Sequence, residues 1–257
     1  MNSQQSIHRI SHEIKRRKLE VLRVIDITPK MRRVTLHGPD LTGFISLGPD
    51  DHVKLIFATT PEEQAALDNF MSGAPGDGPK PTMRDYTPRR YDAVTGELDI
   101  DFVLHGEGPA ASWAEQVEPG QFLHIAGPRG SMIVPDIFDS YLLIGDETAL
   151  PAIARRLEEL PANRSALVVV EVADQAEQQV FASQAQVDVI WIVRDEQSLL
   201  DVTRRLEMPE GKLYAWVATE SGLSRKLRRV LLDEFGLDEE FVKAAGYWRL
   251  DGSDEGR

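Results

Sequence analysis

The sequence predicts two domains, an antiparallel β-barrel over residues 1–136 followed by a doubly wound α/β domain over residues 137–257. Three observations predict this. The 257 residues are 42% apolar, enough for two cores of average size. Before about residue 135 the apolar residues alternate in short β-branched runs. Beyond that point the runs are continuous and separated by amphipathic stretches, the pattern of parallel strands buried between helices.

Taken in order, the barrel strands are "KLEVLRVIDI", "RRVTLHG", "HVKLIFAT", "ELDIDFVL" and "QFLHIAG", period-two segments separated by Gly, Pro and Asp turns. The segment "NFMSGAPGDGPKPTM", dense in Gly and Pro, reads as a flexible excursion between two of these strands and not as the link between domains. In the second half, "YLLIG", "ALVVVEV", "VDVIWIV" and "KLYAWVA" read as strands buried on both faces, each followed by a helix-like stretch. The helix after the last of them sets Leu223, Leu227, Val230, Leu231 and Phe235 on one face. No internal repeat is evident.

Composition excludes several functions. The 29 Lys and Arg against 42 Asp and Glu leave a net charge of −13, which disfavours nucleic acid or an anionic membrane as partner. Residues 1–33 carry nine basic side chains against three acidic ones, a local balance of +6 read as a solvated face. With no cysteine there are no disulfides, no thiolate-ligated iron–sulfur clusters and none of the usual ligands of structural zinc, so redox chemistry needs a borrowed cofactor. The six histidines, His8, His12, His37, His52, His105 and His124, lack ligand spacing, which argues against a protein-bound metal. Ser131 and Ser221 lack a nucleophile elbow, which argues against a hydrolase. No signal-peptide core or membrane-length apolar run occurs, and the cytoplasm is the expected location.

Three stretches carry chemistry. In "RDYTPRRY", residues 84–91, Thr87-Pro88 forbids a helix and favours extended backbone, so Arg84 and Tyr86 project to one side. An arginine fork clamps a phosphate, a tyrosine ring stacks on a planar heterocycle, and a threonine hydroxyl can bond a ring nitrogen; the bland alternative is a loop of arginines paired with carboxylates. In "HGEGPAASWAEQV", residues 105–117, a Gly-Pro turn opens a helix and aims backbone N–H groups at an anion, while small Ala110, Ala111 and Ser112 permit close approach. Gly-Pro is also ordinary helix punctuation, and Trp113 there can be core. In "LLIGDETALPAIARRLEEL", residues 142–160, a strand, a tight turn at Gly145 and a helix from about Thr148 mark the place where an α/β domain holds a nucleotide. The glycine fingerprint is incomplete, because Asp146 and Glu147 occupy the turn.

These stretches, with "DDHVKL", "AGPRGS" and the late "AAGYWR", resemble in family order the siderophore-interacting protein family, flavin-dependent ferric-siderophore reductases of the ferredoxin-reductase-like superfamily. The resemblance covers nearly the whole chain. It implies a flavin-binding barrel that holds FAD and an α/β domain that receives NADPH or NADH. Arg84 and Tyr86 would serve the diphosphate and the isoalloxazine, Thr87 the N5 edge, and His105 the cofactor from the strand end. Gly108, Pro109, Ala110, Ala111 and Ser112 would form the diphosphate turn, and the nucleotide would dock near Gly145 and Thr148. Lys54, Arg129 and Arg249 would form an anion-attracting mouth for a ferric siderophore of catecholate type, each with a surface salt bridge as its bland alternative. No protein ligand to the iron and no catalytic side chain is implied, since the cofactor transfers the electrons, and the product is Fe(II).

Some alternatives stay open in the sequence. Family members commonly carry Gly-Glu where this chain has Thr219-Glu220, and a β-branched residue there could crowd a nicotinamide. Glu171 would suit a ribose hydroxyl and NADH, Arg194 a 2′-phosphate and NADPH. Tyr247 and Trp248 are either core or a wall for the flavin. The rival functions are a flavin electron-transfer protein linked to a ferredoxin and a non-catalytic siderophore binder. A monomer is expected.

Overall fold

The computed structural model describes residues 6–73, 81–106 and 108–250. They form two compact units, one of Ile7–Val134 and one from Pro135 onward.

In the first unit a short strand β1 (His8–Ser11) pairs with a late strand of the unit, Gly130–Ile133. The main sheet comprises β2 (Arg16–Thr28), β3 (Met31–His37), β4 (Val53–Phe57), β5 (Thr82–Tyr86), β6 (Pro88–Asp92), β7 (Glu97–Val103) and β8 (Phe122–Ala126), so that Gly130–Ile133 is β9. All its pairings are antiparallel, in the order β5-β4-β8-β2-β3-β7-β6. The two edges, β5 and β6, are joined by one residue, Thr87. A flat sheet of this width would hold its edges roughly 29 Å apart, several times what one residue can span, so the sheet must curl until they meet. The expected barrel is therefore a curled antiparallel sheet closed at Thr87.

Alternation fills its interior: Leu98, Ile100 and Phe102 of β7 lie beside Val34 and Leu36 of the paired β3 on one fully buried face. Asp99 and Asp101 point the other way and are buried as well, because Thr35 Oγ1 donates to Asp99 at 2.6 Å and Arg33 grips Asp101 through two bonds of 2.7 and 2.8 Å. The Arg17 guanidinium is likewise buried; it donates to the carbonyls of Asp40, Lys15 and Gly127 at 3.0, 3.2 and 2.8 Å.

The excursion expected over residues 69–83 needs correction at both ends. Helix α1 (Pro61–Ser72) takes in Asn69–Ser72, and β5 takes in Thr82 and Met83; residues 74–80 lie outside the described residues. The missed signal is Thr60-Pro61-x-Glu63, a capping box with proline at the first helical position.

Ser131 is a latch. Its hydroxyl donates to Asp51 Oδ2 at 2.6 Å, and its oxygen receives the Leu47 N–H at 3.1 Å and lies 2.8 Å from His12 Nε2. The serine is 1% exposed, so its hydroxyl serves these neighbours. Ser131→Ala would leave buried Asp51 short of a donor, costing about 1–3 kcal/mol. The thermal midpoint should fall by roughly 2–12 °C; an unchanged midpoint would contradict the latch.

The second unit is a parallel sheet of β10 (Ser140–Asp146), β11 (Ser165–Val172), β12 (Gln186–Val193), β13 (Leu213–Glu220) and β14 (Val242–Trp248), ordered β12-β11-β10-β13-β14. Helices α2 (Pro109–Gln116) in the first unit and α3 (Leu150–Glu159), α4 (Leu199–Thr203) and α5 (Ser221–Arg229) in this one complete the list of α-helices among the described residues. The strand order reverses between β10 and β13, which makes their carboxyl ends the switch point of the sheet.

Three expectations change here. "VDVIWIV" forms the edge strand β12, and its residues alternate between exposed and half-buried along most of its length. No α-helix joins β11 to β12; that connection holds only a short 3₁₀ turn, Gln175–Glu177, and Phe181 from it stacks on Trp191 at 5.7 Å. Helix α3 begins at Leu150, after a 3₁₀ turn over Glu147–Ala149, and not at Thr148. The apolar face after β13 is as expected, with Leu227 and Leu231 in the core and Leu223 and Phe235 packed against it. No helix among the described residues is long and apolar enough to cross a membrane.

Candidate functional site

Antiparallel pairing sets Arg84 opposite Leu55 and Tyr86 opposite Val53, so the two share one face of the sheet. Arg84 Nη1 donates to the Met83 carbonyl at 2.8 Å. The Tyr86 ring lies 4.7 Å from Phe102, Phe102 lies 5.5 Å from Trp113 of α2, and Trp113 lies 6.0 Å from Phe57 of β4. This row of rings fixes the Arg84–Tyr86 strand against α2 and assigns Trp113 to packing. The other two arginines of the stretch face acids: Arg90 bonds Asp99, Glu97 and Asp92 at 2.8, 3.0 and 3.2 Å, and Arg89 lies 4.0 Å from Asp101. The carboxylate-paired alternative therefore holds for Arg89 and Arg90. Thr87 is buried at the sheet closure.

The α2 turn has the makings of an anion cradle. Gly106 and Gly108 have φ of +74° and +89°, Pro109 occupies the first turn, and no side chain caps the helix. Only glycine adopts the Gly108 backbone readily, and a side chain there would meet the ring of exposed His105 at 3.9 Å. Ala110 and Ala111 are buried, and Ser112 N closes the turn on the Gly108 carbonyl at 3.0 Å. An uncapped eight-residue helix flanked by glycines and small residues fits the diphosphate of FAD.

The three basic candidates are not brought into one cluster within a unit. Lys54 Nζ bonds Asp85 at 2.9 Å on the sheet face opposite Arg84 and Tyr86. Lys54 pairs with Ala126, and the chain then passes Gly127, whose carbonyl accepts from Arg17, to exposed Arg129, whose carbonyl accepts from His12 N at 2.9 Å. Arg249, half-buried after β14, belongs to the second unit.

At the switch point, Gly145 lets the following turn lie on the strand, since a Cβ there would fall 2.4 Å from Ala149 Cβ. Thr148 is committed to Asp146, whose Oδ1 accepts from its N at 2.9 Å and its Oγ1 at 2.5 Å. Asp146 Oδ2 accepts from Trp248 Nε1 at 2.8 Å, a partnership with no signature in sequence spacing. Burial pushes the Asp146 carboxyl up to about 6, further than these donors pull it down. A carboxyl raised in the folded state adds stability that is fully present below its unfolded value near 4 and is lost as pH rises through 6. Asp146→Asn should therefore flatten the change in unfolding midpoint between pH 4 and 7; an identical profile would contradict the burial effect.

Arg194 bonds Glu147 at 2.6 Å and Glu171 at 3.2 Å, so the two rival marks of donor preference, Glu171 and Arg194, are partners in one ion pair. Thr219 is fully buried, with Oγ1 donating to the Glu220 carbonyl at 3.0 Å. The Glu220 carboxylate caps α5 by accepting from Gly222 and Leu223 N–H at 2.6 and 2.9 Å.

A curled antiparallel sheet with an anion-ready turn, continued by a parallel sheet with a central switch point, is the two-domain fold of ferredoxin-reductase-like proteins. The family model for the siderophore-interacting FAD-binding domain matches residues 20–132, and that for siderophore-interacting protein matches residues 138–251. The chain belongs to the siderophore-interacting protein family. It is 36% identical over 248 residues to the NADPH-dependent ferric-chelate reductase of Escherichia coli, covering 93% of this chain and 95% of that one. It is 32% identical over 258 residues to the ferric vibriobactin reductase ViuB of Vibrio cholerae, covering 96% and 95%. Among solved structures, a siderophore utilization protein from T. fusca superimposes with a TM-score of 0.85 at 37% identity, covering 98% of this chain and 100% of that one.

Proposed function

We propose that the protein is a ferric-siderophore reductase that uses FAD, takes its electrons from NADPH or NADH, and frees Fe(II). The observation that carries this is the match along nearly its whole length to a relative named as an NADPH-dependent ferric-chelate reductase. When bound, FAD supplies the exchange between the two electrons of a hydride and the single electrons that iron accepts. Arg84 would clamp the diphosphate, and the amides of Ala110 and Ala111, opened by Gly108 and Pro109, would receive it beside the small Ser112 side chain, whose own N–H is spent on the Gly108 carbonyl. Tyr86, backed by Phe102, would hold the isoalloxazine, Thr87 its N5 edge, and His105 the cofactor beside the turn. Gly145 and Thr148 would border the nucleotide.

The substrate chelate is anionic, which in a chain of net charge −13 calls for a local basic mouth. Lys54, Arg129 and Arg249 are assigned to it, with a catecholate-type siderophore as the ligand. Ferric iron is hard and held tightly by oxygen donors, whereas ferrous iron is released more easily. The protein acts as a cytoplasmic monomer whose domains divide between residues 136 and 137. A ferredoxin donor is the second reading, favoured by the commitment of Thr148 to Asp146 in the turn where a pyrophosphate would bind.

The test separates two half-reactions in the FAD-loaded protein. Arg129→Ala or Lys54→Ala should slow Fe(II) release from a ferric triscatecholate about tenfold per lost charge-assisted contact, with flavin reduction by nucleotide unchanged. Equal losses in both steps would contradict the assignment.

A further inference from the structure

β1 buries none of its four residues, so its pairing with β9 adds little to the barrel core. What the pairing does fix is the chain around Arg129. The seat is close, since a Cβ on Gly130 would fall 2.5 Å from the Ile10 carbonyl oxygen. Just beyond β1, His12 grips the stretch 129–131 twice. Its backbone N–H donates to the Arg129 carbonyl at 2.9 Å, and its ring Nε2 lies 2.8 Å from Ser131 Oγ.

The direction of the second grip follows from the protons present. Ser131 gives its single hydroxyl proton to Asp51 Oδ2 at 2.6 Å, so its oxygen can only accept from the histidine. Nε2 of His12 therefore carries a proton, and the chain of donors runs from His12 through Ser131 to Asp51. Asp51, 3% exposed, is anchored in turn by the Gly48 N–H and the Ser46 hydroxyl, both at 3.1 Å.

The same bonds pin Arg129 from both sides. Lys54 of β4 pairs with Ala126 of β8 at one end, and Asp51 holds Ser131 at the other, so residues 127–130 are clasped against the stretch 51–54. The Arg129 side chain is exposed and has no ion pair among the described residues, whereas Lys54 is bonded to Asp85. A cation on a backbone fixed in this way is placed before any anion arrives, and little ordering remains for the binding event.

We propose that His12 is a positioning residue for the ferric-chelate step: through the Arg129 carbonyl and Ser131 it holds Arg129 where an anionic chelate arrives. This rests on the reading that Arg129 belongs to the basic mouth. His12 acts through Arg129 and gives the chelate no contact of its own.

The test is calorimetric titration of a gallium(III) triscatecholate, a redox-inert analogue of the ferric chelate, into the FAD-loaded protein, which reads binding without electron transfer. Arg129→Ala should weaken binding about tenfold, the loss of one charge-assisted contact. His12→Ala should weaken it about fivefold, because the loosened stretch must be ordered at every binding event. His12→Gln keeps an N–H donor for Ser131 and should recover most of the affinity. His12→Ala combined with Arg129→Ala should bind no more weakly than Arg129→Ala alone. A gallium(III) trihydroxamate, which is neutral, should distinguish none of these proteins from the wild type. Equal FAD content in every variant checks that folding is intact. Unchanged binding in His12→Ala beside a tenfold loss in Arg129→Ala would overturn the positioning role and leave the mouth reading standing. So would a His12→Ala loss that persists once Arg129 is gone, a His12→Gln variant no better than His12→Ala, or an equal loss for the neutral chelate. A wild type that does not bind the triscatecholate, or an Arg129→Ala variant that binds it unchanged, would overturn the mouth reading and the positioning role with it.

Discussion

Arg84→Ala is expected to purify without its flavin. An arginine fork makes two charge-assisted hydrogen bonds to a phosphate, each contributing about 1.5–3 kcal/mol. Losing even the lower end of that pair weakens FAD binding roughly a hundredfold. The Met83 carbonyl engages Nη1 of this five-donor group. Arg84→Lys keeps the charge and loses the fork, so it should fall between the two. The ratio of flavin to protein absorbance after purification reads the result, and a fully yellow alanine variant would contradict the diphosphate role.

Gly108→Val attacks the same cofactor through the backbone. Gly108 sits at φ 89° and ψ 157°, a region that a β-branched residue enters at a cost of about 1–3 kcal/mol. The side chain would also stand beside the first-turn amides and within reach of His105. FAD affinity should drop tenfold or more. Because Ala110 and Ala114 join the core from later positions of α2, the barrel should still fold, with unchanged far-ultraviolet circular dichroism. Retention of full FAD affinity would contradict the cradle.

The barrel was legible because its interior is filled by strict alternation, as in "ELDIDFVL", and alternation is a local signal. The parallel sheet was legible from its apolar runs, yet the same rule misplaced β12. "VDVIWIV" is apolar enough for a central strand, and its edge position depends on which strand pairs with which, a long-range property. The interrupting Asp188, exposed in the structure, was the available hint. Helix α1 runs into a Gly- and Pro-dense segment whose turn signal outweighs the capping box at the start of the helix.

The candidate site divides along the same line. The Arg84–Tyr86 face and the Gly108 turn follow from spacing within one segment. The Asp51–Ser131 latch, with Ser131 80 residues from its acid, and the Trp248–Asp146 bond, 102 residues apart, have no periodicity to betray them. Nor could spacing show that two of three arginines in "RDYTPRRY" are tied to the acids Asp92, Glu97, Asp99 and Asp101.

The most direct measurement is the anaerobic absorbance of the bound flavin, with NADPH or NADH added in separate cuvettes and a ferric triscatecholate added afterwards. Bleaching by one of the nucleotides, followed by recovery of the flavin band as the chelate is reduced, is the expected result. A flavin that neither nucleotide bleaches, or that stays bleached in the presence of the ferric chelate, would contradict a nicotinamide-driven siderophore reductase.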